Sequence, residues 1–210
     1  MAKIGISLDG ILRDYLSQFA YTYEKYYGTK IDFEKNPITE YDFVKYLKSI
    51  DENSTKTKNE IYDFMFGDGG LTIAGHADQL HDNIMSHFNL FLIDIADDEE
   101  HEIELVSREY GKSIPGTLFF LSKLSCMANK IRFVKNYEEK WDGLDILITA
   151  NPIALESKPK NKISIKINTT YNKNIKADFE LDSIVDFFKD ESLRNKILNT
   201  KITNYEEIKD

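Results

Sequence analysis

The chain has 210 residues, of which 41% are hydrophobic and 30% are charged, and this is the composition of a folded protein rather than of a disordered one. Acidic residues outnumber basic residues by 36 to 27, and the net charge of −9 argues against direct nucleic-acid binding, which needs a basic surface to neutralise phosphates. The one cysteine, Cys126, excludes an internal disulfide and a cysteine-based metal cluster.

Five short runs rich in Ile, Leu and Val are predicted to be buried strands. They cover residues 3–8, 102–107, 130–135, 145–149 and 162–167. Helical patterns follow the second run at 117–124 and the fourth run at 153–156. Strands that alternate with helices predict a doubly wound parallel α/β sheet, a Rossmann-like core of about five strands.

The long segment between the first two predicted strands is more than one crossover requires. Leu12, Phe19 and Tyr23 are among the apolar residues that share one face of a predicted helix there, and weaker helical patterns follow at 40–50, 56–66 and 73–88. Residues 14–99 are therefore predicted to form an inserted helical cap, with residues 1–13 and 100–210 forming the α/β core. The last stretch, 179–210, is predicted to be a helix followed by a helical tail.

The first predicted strand leads into the sequence GISLDGILRD at residues 5–14. This segment resembles the first motif of the haloacid dehalogenase (HAD) superfamily, in which an apolar strand is followed by Asp-x-Asp-Gly and two apolar residues. Asp14 matches a further Asp of the 5′-nucleotidase and deoxyribonucleotidase branch, in its phage-type form. Ser107 lies at the position of the second motif and Lys140 at that of the third. The resemblance extends from residue 3 to about residue 172.

The resemblance implies chemistry that this sequence lacks the residues to perform. In the family, the first Asp attacks phosphorus and binds Mg²⁺ together with acids of the fourth motif. Here Ser7 holds the nucleophile position, and Thr149 and Ala150 hold the positions of the fourth-motif acids. Asp145 begins the same strand and is expected at the opposite edge of the sheet. A phosphate ester formed on Ser7 would also hydrolyse slowly.

We therefore expect no catalytic residues, no cofactor and no metal, with Asp9 as the one remaining candidate ligand for Mg²⁺. Each position that matches a family motif can also be explained by a purely structural role. Asp9 with Gly10 is either a surviving general acid or an ordinary turn. Ser107 either contacts phosphate or caps the next helix, and the cap is favoured. For Lys140, which sits in a charged stretch, a solvated turn is favoured over the family's active-site lysine.

The sequence thus predicts a catalytically inactive HAD-like protein with a structural or interaction role and other protein subunits as its partners. Lys outnumbers Arg by 23 to 4 and Asn occurs 15 times, a bias typical of AT-rich genomes such as those of many bacteriophages. A component of a phage particle is the most concrete form of this hypothesis. Aromatic residues crowd the predicted cap, where they serve either core packing or an interface.

Two alternatives stay open: a Mg²⁺-dependent 5′-nucleotidase or phosphatase acting on (deoxy)nucleotides, and a nucleotide-binding protein without turnover. We expect no membrane segment, since no apolar run approaches the roughly 18 residues that one requires. Residues 1–6 lack the pattern of a secretory signal. The expected location is the cytoplasm of the host cell or the assembled virion.

Overall fold

A single six-stranded parallel sheet, in the order β3-β2-β1-β4-β5-β6, forms the centre of the molecule. The computed structural model describes residues 2–51, 55–96 and 101–206. The strands are β1 Ala2–Ser7, β2 His101–Arg108, β3 Ile131–Val134, β4 Ile146–Thr149, β5 Ile163–Ile167 and β6 Phe179–Leu181. The predicted doubly wound α/β architecture is confirmed, with one strand more than expected.

Nine α-helices flank or cap the sheet in the described part of the chain. They are α1 Tyr15–Tyr27, α2 Phe43–Ile50, α3 Lys58–Asp63, α4 Gly70–His76, α5 Ile84–Ala96, α6 Ser113–Lys123, α7 Pro152–Glu156, α8 Ile184–Lys189 and α9 Glu191–Glu206. A π-helical turn follows α3 at Phe64–Asp68, and a 3₁₀ turn lies at Glu138–Trp141. None of these helices is both long enough and apolar enough to cross a membrane.

The sheet grows outward from β1 in two opposite directions. β2 and then β3 lie on one side of β1, and β4, β5 and β6 follow on the other side. In open parallel sheets, ligands bind in the crevice at the carboxyl ends of the strands where the order reverses. Ser7 ends β1 and Thr149 ends β4, so both lie at this crevice. The fold itself therefore places the family-like motifs at one edge of the sheet.

Three apolar clusters divide the interior of the described chain, and the smallest of them holds Val106 and Trp141. The first joins the strands to α5, α6, α8 and α9, with Phe88, Phe91 and Phe188 in mutual ring contact. The second joins α1 to α4 and holds Phe19 and Phe64. Although α5 belongs to the predicted cap segment, its apolar face packs with the sheet. The predicted boundary at residues 99 and 100 lies outside the described residues, and the division into cap and core stays a prediction.

The cap aromatics divide between core and surface. The buried ones are Tyr15, Phe19, Tyr23, Phe43 and Tyr46. By contrast, the side chains of Tyr21, Tyr26 and Tyr27 are exposed. Packing therefore accounts for the first group, and the prediction of an interface applies only to the second.

Three predicted helices differ from the observed elements for local reasons. The segment 73–88 forms two helices rather than one, because α4 ends where Ala77 turns to an extended conformation with ψ 151°, and α5 begins only at Ile84. The segment 56–66 ends as α3 and then widens into the π-helical turn. Residues 179–181 pair with β5 as β6 instead of starting a helix, while residues 207–210 of the predicted tail lie outside the described part.

Candidate functional site

Ser7 and Thr149 meet at the carboxyl edge of the sheet, where the resemblance places the nucleophile and a metal-binding acid. The Ser7 hydroxyl donates a hydrogen bond to Thr149 Oγ1 at 2.9 Å, and both residues are fully buried. Thr149 Oγ1 also accepts a hydrogen bond from the backbone N–H of Asn151 at 3.1 Å. A closed pair of hydroxyls therefore occupies the positions of two carboxylates.

Lys140 completes this cluster from the 3₁₀ turn. Its Nζ donates to Ser7 Oγ at 3.1 Å, and only 3% of the residue is exposed. Burial lowers the pKa of Lys140 to about 8, although Asp9 and Glu109 act to raise it. The neighbouring Trp141 anchors the turn, since its ring N–H donates to the Ala154 carbonyl at 2.6 Å. The prediction that Lys140 lies in a solvated turn is wrong, because this anchor draws the turn inward.

Asp9 forms an ion pair with Arg13, four residues further along the chain. Arg13 Nε donates to Asp9 Oδ1 at 2.7 Å, and Arg13 Nη2 also pairs with Glu109 at 2.5 Å. Thr117 and the Ala74 carbonyl accept hydrogen bonds from Arg13 Nη1. Burial alone would lower the pKa of Arg13, but the charges of Asp9 and Glu109 raise it above its ordinary value.

The arrangement assigns Asp9 a structural role in addition to its turn. The main chain supports the turn interpretation as well, since Gly10 has φ +72° and its N–H donates to the Arg13 carbonyl at 3.1 Å. About a third of the Asp9 side chain, 31%, remains exposed toward the cavity described below. The Asp9 carboxylate is thus paired with Arg13 on one side and borders the cavity on the other.

Ser107, at the position of the second motif, belongs to the same buried network. Its hydroxyl donates to Glu109 Oε1 at 2.9 Å. The favoured prediction that Ser107 caps the next helix is wrong: α6 begins only at Ser113, and its N-cap residue Lys112 makes no side-chain capping bond. The Ser107 hydroxyl donates to Glu109 instead of to the helix, because a buried carboxylate is stable only when several donors hydrogen-bond to it.

The family that the first motif resembles binds Mg²⁺ at these positions. The side chains present here are therefore compared with the ligands that Mg²⁺ prefers. Mg²⁺ prefers carboxylate and other oxygen ligands in octahedral geometry. Ser7, Thr149 and Ala150 supply two hydroxyls and a methyl group, and the Lys140 ammonium lies within hydrogen-bond distance of Ser7. The described residues contain no group of three or more His, Cys, Asp or Glu side chains placed to hold a metal. These residues do not fit Mg²⁺.

No other carboxylate replaces the missing ones. Asp145 accepts a hydrogen bond from the backbone N–H of Lys3 at 2.8 Å, which places it at the opposite edge of the sheet, as predicted. Asn151 uses its side-chain oxygen to cap α7 by accepting from the Ala154 N–H. Asp14 caps α1 by accepting from the Ser17 N–H.

A cavity of about 160 Å³ lies between this edge of the sheet and the cap. Asp9, Arg108 and Lys140 contribute to its wall. The aromatic residues around it are Tyr15, Tyr41, Phe43, Phe66, Tyr137 and Tyr171. Tyr41 and Tyr137 close the cap onto the core, because their hydroxyls lie 3.1 Å apart in a hydrogen bond.

Three residues of the cavity wall carry a buried side-chain atom without a hydrogen-bond partner in the described part of the chain. The atoms are the Tyr15 hydroxyl oxygen, Nη1 of Arg108 and Thr169 Oγ1, and none of them has accessible surface. Arg108 Nε donates to the Lys135 carbonyl, and its guanidinium packs 4.8 Å from the ring centroid of Tyr137. Buried polar groups are normally satisfied, so these three atoms are exceptions among the described residues.

Sequence reasoning missed Arg13, Glu109, Arg108, Tyr137 and Tyr171. The sequence offered one usable signal, the rarity of arginine: two of the four arginines lie at this site. Arg13 follows Asp9 by four residues, but residues 9–13 form a turn rather than a helix, so the helical spacing rule does not predict this pair. Nothing comparable marks Glu109 or the two tyrosines, which reach the site through the tertiary fold.

Comparison with known proteins identifies the fold. A HAD hydrolase of family IA, variant 3, from Entamoeba histolytica superposes with a TM-score of 0.55 at 14% identity, covering 90% of this chain and 100% of that chain. A phosphonoacetaldehyde hydrolase-like protein from Oleispira antarctica gives 0.57 at 12% identity, with 95% and 93% covered. A HAD-superfamily hydrolase of subfamily IA, variant 1, from Geobacter sulfurreducens gives 0.51 at 8% identity, with 89% and 94% covered.

Neither a family model nor a curated protein sequence matches the chain. The structural likeness, at these identities, establishes that the chain has the fold of HAD-type hydrolases.

Proposed function

We propose that this chain, built on the HAD-type fold, does not catalyse phosphoryl transfer and acts through the molecules that it contacts. One observation carries the proposal: the Lys140 ammonium donates to Ser7, and Ser7 donates to Thr149, at the positions where the resemblance requires a nucleophilic carboxylate and metal-binding acids. The cluster holds hydroxyls where the family-like mechanism needs carboxylates to hold Mg²⁺.

Electrostatics and chemistry both support inactivity. With hydroxyls at Ser7 and Thr149 and a methyl group at Ala150, no carboxylate at these three positions offsets the charge of a divalent cation, whereas a lysine at the position of Lys140 belongs to the resemblance itself. Without the metal, nothing else neutralises the phosphoryl oxygens as charge develops in the transition state. Asp9 cannot take over, because its carboxylate already pairs with Arg13.

Ser7 is also a poor substitute nucleophile. A serine nucleophile needs a base that accepts its proton, but here the Ser7 proton is directed at Thr149 while Lys140 donates to Ser7. With its pKa lowered only to about 8, Lys140 is mostly protonated at neutral pH. Ser7 is completely buried as well, and it does not form part of the cavity wall.

A role in protein contacts is supported by an apolar surface beside the cap. Leu71 on α4 and Leu118 and Phe119 on α6 are each about half exposed, at 51%, 48% and 50%. The two helices pack closely, since a Cβ atom on Gly116 of α6 would lie 2.8 Å from the Leu71 carbonyl oxygen of α4. Large exposed apolar patches often mark interaction sites. We propose other protein subunits as the partners, and a phage particle as the assembly.

An activity assay tests the first part of the proposal. Purified protein is incubated with p-nitrophenyl phosphate and with 5′-deoxynucleoside monophosphates, with and without Mg²⁺, and phosphate release is measured. We expect no release above the protein-free control, and no change for the Asp9→Asn variant. Mg²⁺-dependent turnover that Asp9→Asn abolishes would overturn the proposal in favour of the 5′-nucleotidase alternative.

The interaction role needs a separate measurement. The mass of the protein in solution is compared with that of the Phe119→Ser variant, and assembled virions are searched for the chain. We expect an assembly that this variant weakens, with the Met127→Ser variant, which alters an exposed apolar residue outside α4 and α6, as the matched control. A monomer that is absent from particles would contradict the structural role.

A further inference from the structure

Helix α4 lies in the predicted cap segment, yet its backbone touches that of α6 in the predicted core. A Cβ atom on Gly116 would lie 2.8 Å from the Leu71 carbonyl oxygen, and one on Gly75 would lie 3.2 Å from the Gly116 carbonyl oxygen. At the first residue of α4, a Cβ atom on Gly70 would lie 3.1 Å from the backbone N of Ser113. The lack of side chains at these glycines therefore lets the two helices meet from one end of α4 to the other.

Hydrogen bonds from the core hold the chain at both ends of this contact. The backbone N–H of Lys112 donates to the Phe66 carbonyl at 2.8 Å, shortly before α4 begins. At the other end, Lys123 Nζ donates to the Ala77 carbonyl at 3.2 Å. The last carbonyls of a helix have no partner inside it, so a lysine that donates to them stabilises the helix end. These two bonds fasten α4 to the residues before and at the end of α6.

Arg13 adds a buried charge to the same attachment. Its guanidinium donates to the Ala74 carbonyl of α4 at 3.1 Å while it pairs with Asp9 and Glu109. The side chains of Arg13 and Glu109 are both fully buried. Movement of α4 away from the core would remove one acceptor from this guanidinium and admit water to its ion pairs. A buried donor that loses its acceptor is costly, so the network opposes such a movement.

We propose that α4 is permanently attached to the core, so that the predicted cap segment, residues 14–99, does not open from the sheet as one lid. The α4–α6 contact separates only when the whole protein unfolds. The backbone contacts, the two hydrogen bonds at the ends of α4 and the buried guanidinium all act in this direction. The proposal does not depend on whether the chain catalyses a reaction.

The attachment also bears on the proposed protein contacts. Leu71 of α4 and Leu118 and Phe119 of α6 are the exposed apolar residues of these two helices. With α4 fixed, they keep one arrangement relative to each other. A partner that binds them then does not meet the cost of ordering two separate parts of the chain.

Two backbone amides report on the two kinds of opening. The Lys112 N–H precedes α6 and donates across the contact to Phe66, so it exchanges with solvent only when this bond breaks. The N–H of Ile148 lies in β4, which pairs with β1 on one side and with β5 on the other. An amide in such a buried strand exchanges on global unfolding.

Native-state hydrogen exchange of the whole chain tests the proposal. We expect the rates of Lys112 and Ile148, each divided by its rate in an unstructured peptide, to agree within about tenfold. Both should rise in parallel as urea is added below the unfolding transition, because global unfolding has the strongest dependence on urea. A Lys112 rate more than tenfold faster than that of Ile148, with a weaker dependence on urea, would show that α4 leaves the folded core and would overturn the proposal.

A substitution far along the chain from the contact gives the same test without urea. Ile165→Val, in the buried strand β5, should speed exchange at Ile148 by about twofold to tenfold, since it lowers global stability. If α4 is permanently attached, Lys112 speeds up by the same factor. The amide of Asn36, which donates to the Asp32 carbonyl in a local turn, is the control and should not change. A Lys112 rate that stays constant like that of Asn36 would contradict the proposal. Phosphate release is measured on the same samples, so turnover and separation of α4 are independent results.

Discussion

The Lys140 ammonium lies 3.1 Å from the Ser7 hydroxyl, in a fully enclosed cluster at the carboxyl edge of the central strand. The two residues are brought together although they are 133 positions apart in the chain. The contact places Lys140 where the resemblance expects its third-motif lysine, but beside a hydroxyl at the position where a HAD-type mechanism requires a carboxylate. The following predictions test the energetics of that arrangement.

The first prediction concerns the pH dependence of stability. Because burial lowers the pKa of Lys140 from 10.5 to about 8, the unfolded chain holds this proton between those values while the folded chain releases it. Stability attributable to Lys140 therefore rises with pH, by about 1–2 kcal/mol between roughly pH 7.5 and 9.5. Urea unfolding across this range measures the effect, and Lys140→Met is the reference that lacks it.

The difference between the two proteins removes the contribution of all other titrating groups. The groups that act on the Lys140 pKa are Asp9 and Glu109, which raise it, and Arg108 and Arg13, which lower it. Parallel pH profiles for the wild type and Lys140→Met would show that Lys140 titrates normally and is not desolvated.

The second prediction concerns the buried ion pair of Arg13 and Glu109. Arg13→Met should destabilise the fold by about 3–5 kcal/mol, since it leaves a buried carboxylate without its counter-charge. The double variant Arg13→Met with Glu109→Gln should cost clearly less than the sum of the two single changes, because neither member is then left charged and alone. Denaturant unfolding of the four proteins measures the coupling, and strictly additive costs would contradict a direct pair.

The third prediction concerns the contact between α4 and α6. A Cβ atom on Gly116 would lie 2.8 Å from the Leu71 carbonyl oxygen, closer than such atoms approach. Gly116→Ala should therefore force the helices apart and cost about 1–3 kcal/mol, in spite of the higher helix propensity of alanine. Ser122→Ala, at an exposed position of the same helix, is the control. Equal thermal midpoints for the two variants would refute the close packing.

The fourth prediction concerns metal ions. A ligand that binds the folded state raises its stability in proportion to the logarithm of its concentration. Because the donor set does not fit Mg²⁺, neither millimolar Mg²⁺ nor EDTA should move the thermal midpoint by more than about 1 °C. The Ser7→Asp and Thr149→Asp double variant, which restores two carboxylates, should gain a Mg²⁺-dependent shift. A Mg²⁺ shift in the wild type would show that Asp9 binds metal despite Arg13.

Local patterns were sufficient to predict much of the fold. The runs at residues 3–8 and 145–149 appear as β1 and β4 to within a residue at each end, because a strand buried on both faces needs an unbroken apolar run. β6 was missed because it has only three residues, and such a short segment has no periodicity of its own. The helix predicted over 73–88 is interrupted from Ala77 onward, where the backbone turns extended although alanine favours helices.

The sequence by itself determined the fold class and the absence of carboxylates at Ser7, Thr149 and Ala150, since both follow from residue types in a recognisable order. Tertiary structure alone decided that Lys140 is buried against Ser7, that Arg13 pairs with Asp9 and Glu109, and that Arg108 borders the cavity while it donates to the Lys135 carbonyl. The physical reason is that a side chain's charge and exposure depend on the groups that distant parts of the chain bring to it. A lysine in a charged stretch has the same local sequence whether its turn is solvated or anchored inward by a tryptophan.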